Sequence, residues 1–333
     1  MVILVRLNLF ILHSDMIRFI IKICFFLVLF VSIVVAVTYY FSYRIVNKHY
    51  FENFDTEENI VIIPKNKHFD ILFLGISHAR NFTRYGNHDR VEEILNVKML
   101  NLGKGGGKGT IANQHNYLRY FLCEGNSVDH IIYVLTMPMF YSNVMDSKSS
   151  EMALEAFSLK YFLISLFGPG INKEQKLYNY LRGKYRNNWK KVEPSCTPNY
   201  EKVLGKIDSL VIQKGLDAAY VNGLELDALE RNKKYLVNTI KFVQQNNINI
   251  TFIITPTLFG EWPGHEDVMA FMKEIKEEYN VNTYNFCCVY PDNLEYFYDH
   301  HHLNTPGVIQ FTKEYLSPLV DSLKQLNPRK DLN

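Results

Sequence analysis

Asp70-Ile71-Leu72-Phe73-Leu74-Gly75-Ile76-Ser77-His78 passes from a short unbroken apolar run into a glycine turn that carries a serine. An apolar run of this length, bounded by turn signals, suits a strand covered on both faces, as in a parallel sheet. Working outward, the same kind of run recurs at Val97–Leu102, Ile131–Leu135, Ile248–Ile254 and Val281–Phe286. Helical patterns separate these runs: Arg90–Leu95, Thr110–Leu122, Leu226 to Val243 and Glu266–Glu278. A last helix starts near Thr305, with Pro306 suited to its first turn and Pro318 expected to kink its last ones. Strands separated by helices predict an α/β fold, a doubly wound parallel sheet in a three-layer arrangement. Such sheets place their sites beyond the carboxyl ends of the strands. Ser77, the glycines after Leu102, and Asp299 to His302 all follow predicted strands.

Residues 141–222 interrupt the alternation with an apolar patch, Tyr161–Phe167, and a basic, aromatic segment, Lys184–Lys191, which includes Trp189. They read as a mainly helical insertion. At the other end, Ile23–Phe41 carries no charge and is long enough to cross a bilayer as a helix. Tyr39, Tyr40 and Tyr43 fit an interfacial aromatic belt. A cleaved signal peptide competes, but the run is long for one and shows no small-residue cleavage site, so an uncleaved anchor is expected. Arg6, Arg18 and Lys22 precede the run, while Arg44 and Lys48 follow it among Glu52, Asp55, Glu57 and Glu58. That bias predicts a single-pass membrane protein with its body outside the cytoplasm. The first fifteen residues read either as extra leader or as sequence ahead of a start at Met16. The expected organisation is leader and anchor over 1–43, juxtamembrane linker over 44–67 and α/β domain over 68–325.

A formal charge of +2 over 333 residues gives no case for nucleic acid as a partner. Five cysteines without C-x-x-C spacing indicate neither a zinc site nor a disulfide framework. No cofactor is expected.

A serine is a weak nucleophile until a base takes its proton, and the base needs an orienting partner. Asp299-His300-His301-His302-Leu303-Asn304-Thr305-Pro306-Gly307 supplies both just ahead of a helix. An aspartate three residues before a histidine can meet it across one turn, which makes His302 the candidate base and Asp299 its partner, with Ser77 as nucleophile. Three histidines in a row could instead suggest a metal, but consecutive side chains diverge, and no metal is expected. The run Gly103-Lys104-Gly105-Gly106-Gly107-Lys108-Gly109 reads as a phosphate loop, a plain surface loop or an oxyanion loop. No Gly-Lys-Ser/Thr is present, and the oxyanion reading is preferred, with the N–H groups of Gly106 and Ser77 as donors.

The order of Gly-x-Ser at the first strand, Asn-x-Gly-x-x-Gly after the second and Asp-x-x-His-Leu near the end resembles the SGNH (GDSL-type) hydrolase superfamily, over roughly residues 68–325. In particular it is similar to membrane-anchored bacterial members of teichoic-acid D-alanylation and polysaccharide O-acetylation. The resemblance implies an SGNH/flavodoxin-like sheet, with Ser77 as nucleophile, His302 as base, Asp299 as its partner and Gly106 as an oxyanion donor. Two positions depart from the pattern. Ile76 stands where the family commonly has Asp. Thr136-Met137-Pro138-Met139 occupies the Gly-x-Asn-Asp block, so Pro138 replaces an oxyanion donor, for which Thr136 or Asn143 could substitute. The expectation is a serine O-acyltransferase or esterase acting on a cell-envelope glycan, working with an acyl-supplying membrane protein. The alternative is a catalytically divergent glycan-binding or assembly component.

Overall fold

The computed structural model describes residues 2–46, 60–105, 109–147, 152, 155–185 and 203–326. Five parallel strands are β1 (His68–Gly75), β2 (Met99–Asn101), β3 (Ser127–Leu135), β4 (Asn249–Ile254) and β5 (Asn282–Asn285), in the order β2-β1-β3-β4-β5. The helices are α1 (Val2–Val46), α2 (Ser77–Arg80), α3 (Asn87–Leu95), α4 (Ile111–Cys123), α5 (Pro138–Tyr141), α6 (Asn143–Ser147), α7 (Leu159–Phe167), α8 (Lys173–Tyr185), α9 (Ser209–Ala219), α10 (Leu226–Gln245), α11 (His265–Tyr279), α12 (Thr305–Phe311) and α13 (Ser317–Leu326). The α/β fold with an apolar N-terminal helix and a helical insertion agrees with the sequence reading.

Side-chain alternation along the strands builds a core on each face of the sheet. Leu72, Leu74, Ile131, Tyr133, Leu135, Phe252 and Ile254 pack in a cluster with residues of α4, α7, α10 and α11. Ile71, Phe73, Ile132, Val134 and Ile253 pack on the other side with residues of α3, α12 and α13. Both faces are therefore apolar, which is why the strands read as continuous runs instead of alternating ones. Val61 and Ile63, placed by the sequence in the linker, are buried in the first of these cores. Residues 47–59 of that linker, and Trp189 in the insertion, lie outside the described residues.

The chain reverses direction across the sheet between β1 and β3, since β2 lies on one side of β1 and β3–β5 on the other. A crevice opens at such a switch point, and Ser77 directly follows β1 there. Near the end of the chain, the expected kink takes a specific form. A π-helical turn, Thr312–Leu316, joins α12 to α13 just before Pro318. Proline lacks an N–H and its ring clashes with the carbonyl four residues back, so a wider turn relieves both problems.

Candidate active site

The turn after β1 is fixed chiefly through the backbone. Gly75 has φ +140, and a Cβ there would overlap the Val134 carbonyl oxygen and touch Ala79. This is conformational space that glycine enters freely and other residues rarely do. The side chain of Gln114, fully buried on α4, accepts from the Gly75 N–H at 3.1 Å and donates to the Leu102 carbonyl at 3.2 Å. One glutamine thus pins the ends of β1 and β2. Asn101 donates to the Ala79 carbonyl at 2.7 Å and accepts from the Gly103 N–H at 2.8 Å, tying the second strand end to α2.

The segment ahead of α12 is shaped by side-chain acceptors. Asp299 Oδ1 accepts the N–H groups of His301 at 2.9 Å and His302 at 2.8 Å. Asn304 caps α12 by accepting from the Gly307 N–H at 2.9 Å, and its amide donates to the Glu295 carbonyl at 2.7 Å. The bend closes with a bridge between Phe297 and Leu303.

These two segments bring Ser77, His302 and Asp299 together. His302 Nε2 lies 2.7 Å from Ser77 Oγ, and His302 Nδ1 lies 2.8 Å from Asp299 Oδ2. Burial pushes the Asp299 carboxyl up, but the His302 and His301 side chains and the N–H groups it accepts outweigh this and hold it well below the carboxylate range. An ionised carboxylate only accepts, so Nδ1 carries the hydrogen and Nε2 is left to accept from the serine hydroxyl. Gly106 lies outside the described residues.

The neighbouring histidines have separate surroundings. His300 Nε2 accepts the Asp208 N–H at 3.1 Å, which ties the start of α9 to this bend. His301 lies tilted against His302 with ring centroids 4.1 Å apart and meets Trp262 edge-on at 5.4 Å. Burial, then the neighbouring His302, lowers the His301 ring to about 4, so it stays neutral at physiological pH. His78, next to the serine, is buried 4.7 Å from the His302 ring, and burial, followed by His302 and His301, lowers it well below the ordinary histidine value. Tyr298 stacks on His302 in a parallel plane. The sequence did not single out His78, Trp262 or Tyr298, because their proximity to His302 is made by the fold.

In the block where a further donor was expected, Pro138 opens α5. Asn143 is turned elsewhere: its amide donates to Glu225 at 2.9 Å and to Asp227 at 3.1 Å. Thr136 differs. It directly follows β3, at the carboxyl end of the strand that pairs with β1 up to Gly75 and Val134. Its hydroxyl is buried without a hydrogen-bond partner among the described residues.

Four side-chain groups among the described residues have the spacing to hold a cation, two of them, His68 with Asp70 and Asp129 and His88 with Asp89 and Glu92, on partly exposed surface. In Asp299, His301 and His302, both ring nitrogens of His302 are already engaged, Nδ1 with Asp299 and Nε2 with Ser77. In Glu261, His265 and Cys287, His265 Nε2 faces the Asn285 amide at 3.1 Å. Burial and the adjacent Cys288 push the Cys287 thiol up to about 12.

No family model matches the chain, and no curated protein matches it. Among solved structures, the chain is similar to a Bacteroides fragilis NCTC 9343 protein named as a candidate acylhydrolase. The identity is 9% and the TM-score 0.42, over 83% of this chain and 99% of that one, a likeness too slight to carry an argument.

Proposed function

We propose that the protein is a membrane-anchored, SGNH-type serine acyl-transfer enzyme acting on ester-linked acyl groups of a cell-envelope glycan, with its body outside the cytoplasm. The observation that carries this reading is the unbroken hydrogen-bond chain from Ser77 Oγ through His302 to Asp299. In the proposed reaction, Ser77 Oγ attacks the ester carbonyl carbon as its proton passes to His302 Nε2. Asp299 holds the ring and stabilises the imidazolium. The tetrahedral oxyanion would be met by the Ser77 and Gly106 N–H groups and by the Thr136 hydroxyl, which takes the place of the donor lost at Pro138. His302 then gives its proton to the departing alkoxide, leaving acyl-Ser77. A sugar hydroxyl, deprotonated by His302, takes the acyl group in transfer; water takes it in hydrolysis.

A fluorophosphonate probe tests the nucleophile. The full chain is expected to label, and Ser77→Ala to lose labelling; equal labelling of both would remove the assignment. Thr136→Val is expected to slow turnover by about 10²-fold, the usual scale for one oxyanion donor. The transferase and esterase readings separate by product: acyl groups on glycan for one, free acid alone for the other.

Pro138 favours a second reading, a divergent domain that binds glycan during assembly without turning it over. Glycan binding and cellular complementation that survive Ser77→Ala would decide for it. An acyl-supplying membrane protein remains part of the first reading, and acyl appearing on glycan only in its presence would support it.

A further inference from the structure

The uncharged run Ile23–Tyr43 is about 21 residues, or about 31 Å of helix, close to the thickness of a bilayer's hydrocarbon layer. Along Met16–Ser42 the helix is almost wholly exposed, yet one stripe near its end is covered. Val35 and Phe41 are partly buried, and Thr38 and Ser42 are buried. Thr38 Oγ1 lies 2.5 Å from Tyr185 OH on α8, Ser42 Oγ accepts the Phe157 N–H at 2.7 Å, and Tyr39 OH accepts the Leu159 N–H at 3.0 Å. The Tyr39 and Phe157 rings meet edge-on at 4.8 Å. The body therefore grips α1 within the uncharged run, not beyond it. The contact begins about eight residues before the run ends, which is about 12 Å along the axis.

Any element docked at that level lies at the depth of the membrane interface. α7 begins at this contact and is amphipathic in an unusual direction. Tyr161, Ile164 and Ser165 are buried, Tyr161 stacking on Tyr117 of α4. The outward face carries an apolar stripe too: Leu159, Leu163, Leu166 and Phe167 are exposed, Phe167 by 78%, with Lys160 at its edge drawn to Glu124 at 3.0 Å and the Cys123 carbonyl at 3.2 Å. Their spacing of four, three and one residues places them on one stripe. Exposed Tyr40, Tyr178 and Tyr185 lie on the two helices that meet there, residues suited to an interfacial belt.

The geometry points to α7 as a second membrane contact: its outward stripe is immersed in the lipid interface, so the body is held against the bilayer instead of swinging on a tether. The occupant is lipid, because the stripe starts at Leu159, where α7 meets Tyr39 of the exposed span, at a depth fixed by the grip on α1. This rests on the membrane reading of α1, and the test separates the two.

The full chain, with Cys24, Cys123, Cys196, Cys287 and Cys288 replaced by serine, is reconstituted into vesicles of phosphatidylethanolamine and phosphatidylglycerol. Single cysteines introduced by Leu163→Cys, Phe167→Cys, Leu29→Cys in the span and Lys241→Cys on α10 each carry an environment-sensitive fluorophore. Doxyl-labelled lipid is then added as quencher. The expected result is a blue shift and loss of most emission at positions 29, 163 and 167, with none at 241. Quenching at 29 with positions 163 and 167 behaving like 241 leaves the anchor standing and overturns the inference. Absence of quenching at 29 as well removes the membrane reading itself. A blue shift at 167 without lipid quenching means that protein covers the stripe, which also overturns the inference. Should the serine variant not fold, p-benzoylphenylalanine in place of Phe167 in the otherwise native chain gives the same answer. Lipid adducts support the inference; adducts only to a second copy or to another protein overturn it.

Discussion

In the turn that carries Ser77 the chain is held by backbone conformation and close packing, whereas in the bend that carries His302 it is held by side-chain acceptors. Gly75 stands against Val134 and Ala79 with no room for a Cβ. Asp299, by contrast, has two duties at once: Oδ1 shapes the bend and Oδ2 orients the His302 ring. The proposed nucleophile is thus placed by what cannot move, and the proposed base by what can be uncoupled one oxygen at a time. Substitutions in the first segment should register as lost stability, and those in the second chiefly as lost turnover.

His302→Ala gives the largest expected effect. It should cost roughly 10⁴–10⁶-fold in kcat with only a modest fall in Tm, from the ring contacts His302 makes with Tyr298, His301 and His78. A large fall in Tm would break the comparison. Next, Asp299→Asn can retain an oxygen for the two bend N–H groups while turning an amide N–H towards His302 Nδ1. That forces the wrong tautomer, so kcat should fall by about 10⁴-fold with the fold intact. Asp299→Ala removes both duties and should add a stability loss of about 2 kcal/mol, read from chemical denaturation.

Gly75→Ala should destabilise by about 3 kcal/mol, from a strained φ and overlap with Val134. Unchanged stability there would show that the turn is softer than its packing implies. Acid provides an effect of similar size away from both segments. Burial lowers His130, and burial then Arg119 lower His115, each to about 4. Below pH about 6.5 the unfolded chain takes up protons that these rings refuse in the fold, so stability is lost as pH falls from 6.5 to 4. The loss is on the order of 3 kcal/mol per ring, and His130→Gln should flatten the profile. The smallest change is Asn304→Ala, which removes a helix cap at a cost of about 1 kcal/mol.

The strands and the helices between them were legible in the sequence because strands covered on both faces leave unbroken apolar runs and the helices leave spaced ones, whereas the order of the strands in the sheet came from the structure. The contact of Ser77, His302 and Asp299 was legible through local spacing, Asp299 being three residues from His302, and through both segments following strands. His78, Trp262 and Tyr298 were not, because their relation to His302 is a matter of ring distances across the fold. Gln114 reads as an ordinary helix residue until the two strand ends it bridges are seen. Asn143, a candidate replacement donor by nearness to Pro138, is instead committed to Glu225 and Asp227, partners more than 80 residues away.

Ser77 and His302 are separated by 225 positions in the chain. At about 5–20 residues per second of synthesis, roughly 10–45 s pass between the serine's formation and that of its base. If Ser77 is the nucleophile proposed above, its hydroxyl is an ordinary alcohol throughout that interval, unable to acylate itself on neighbouring esters. The separation acts as a delay: the newly made chain stays chemically quiet until the sheet that will hold the two residues together has been made.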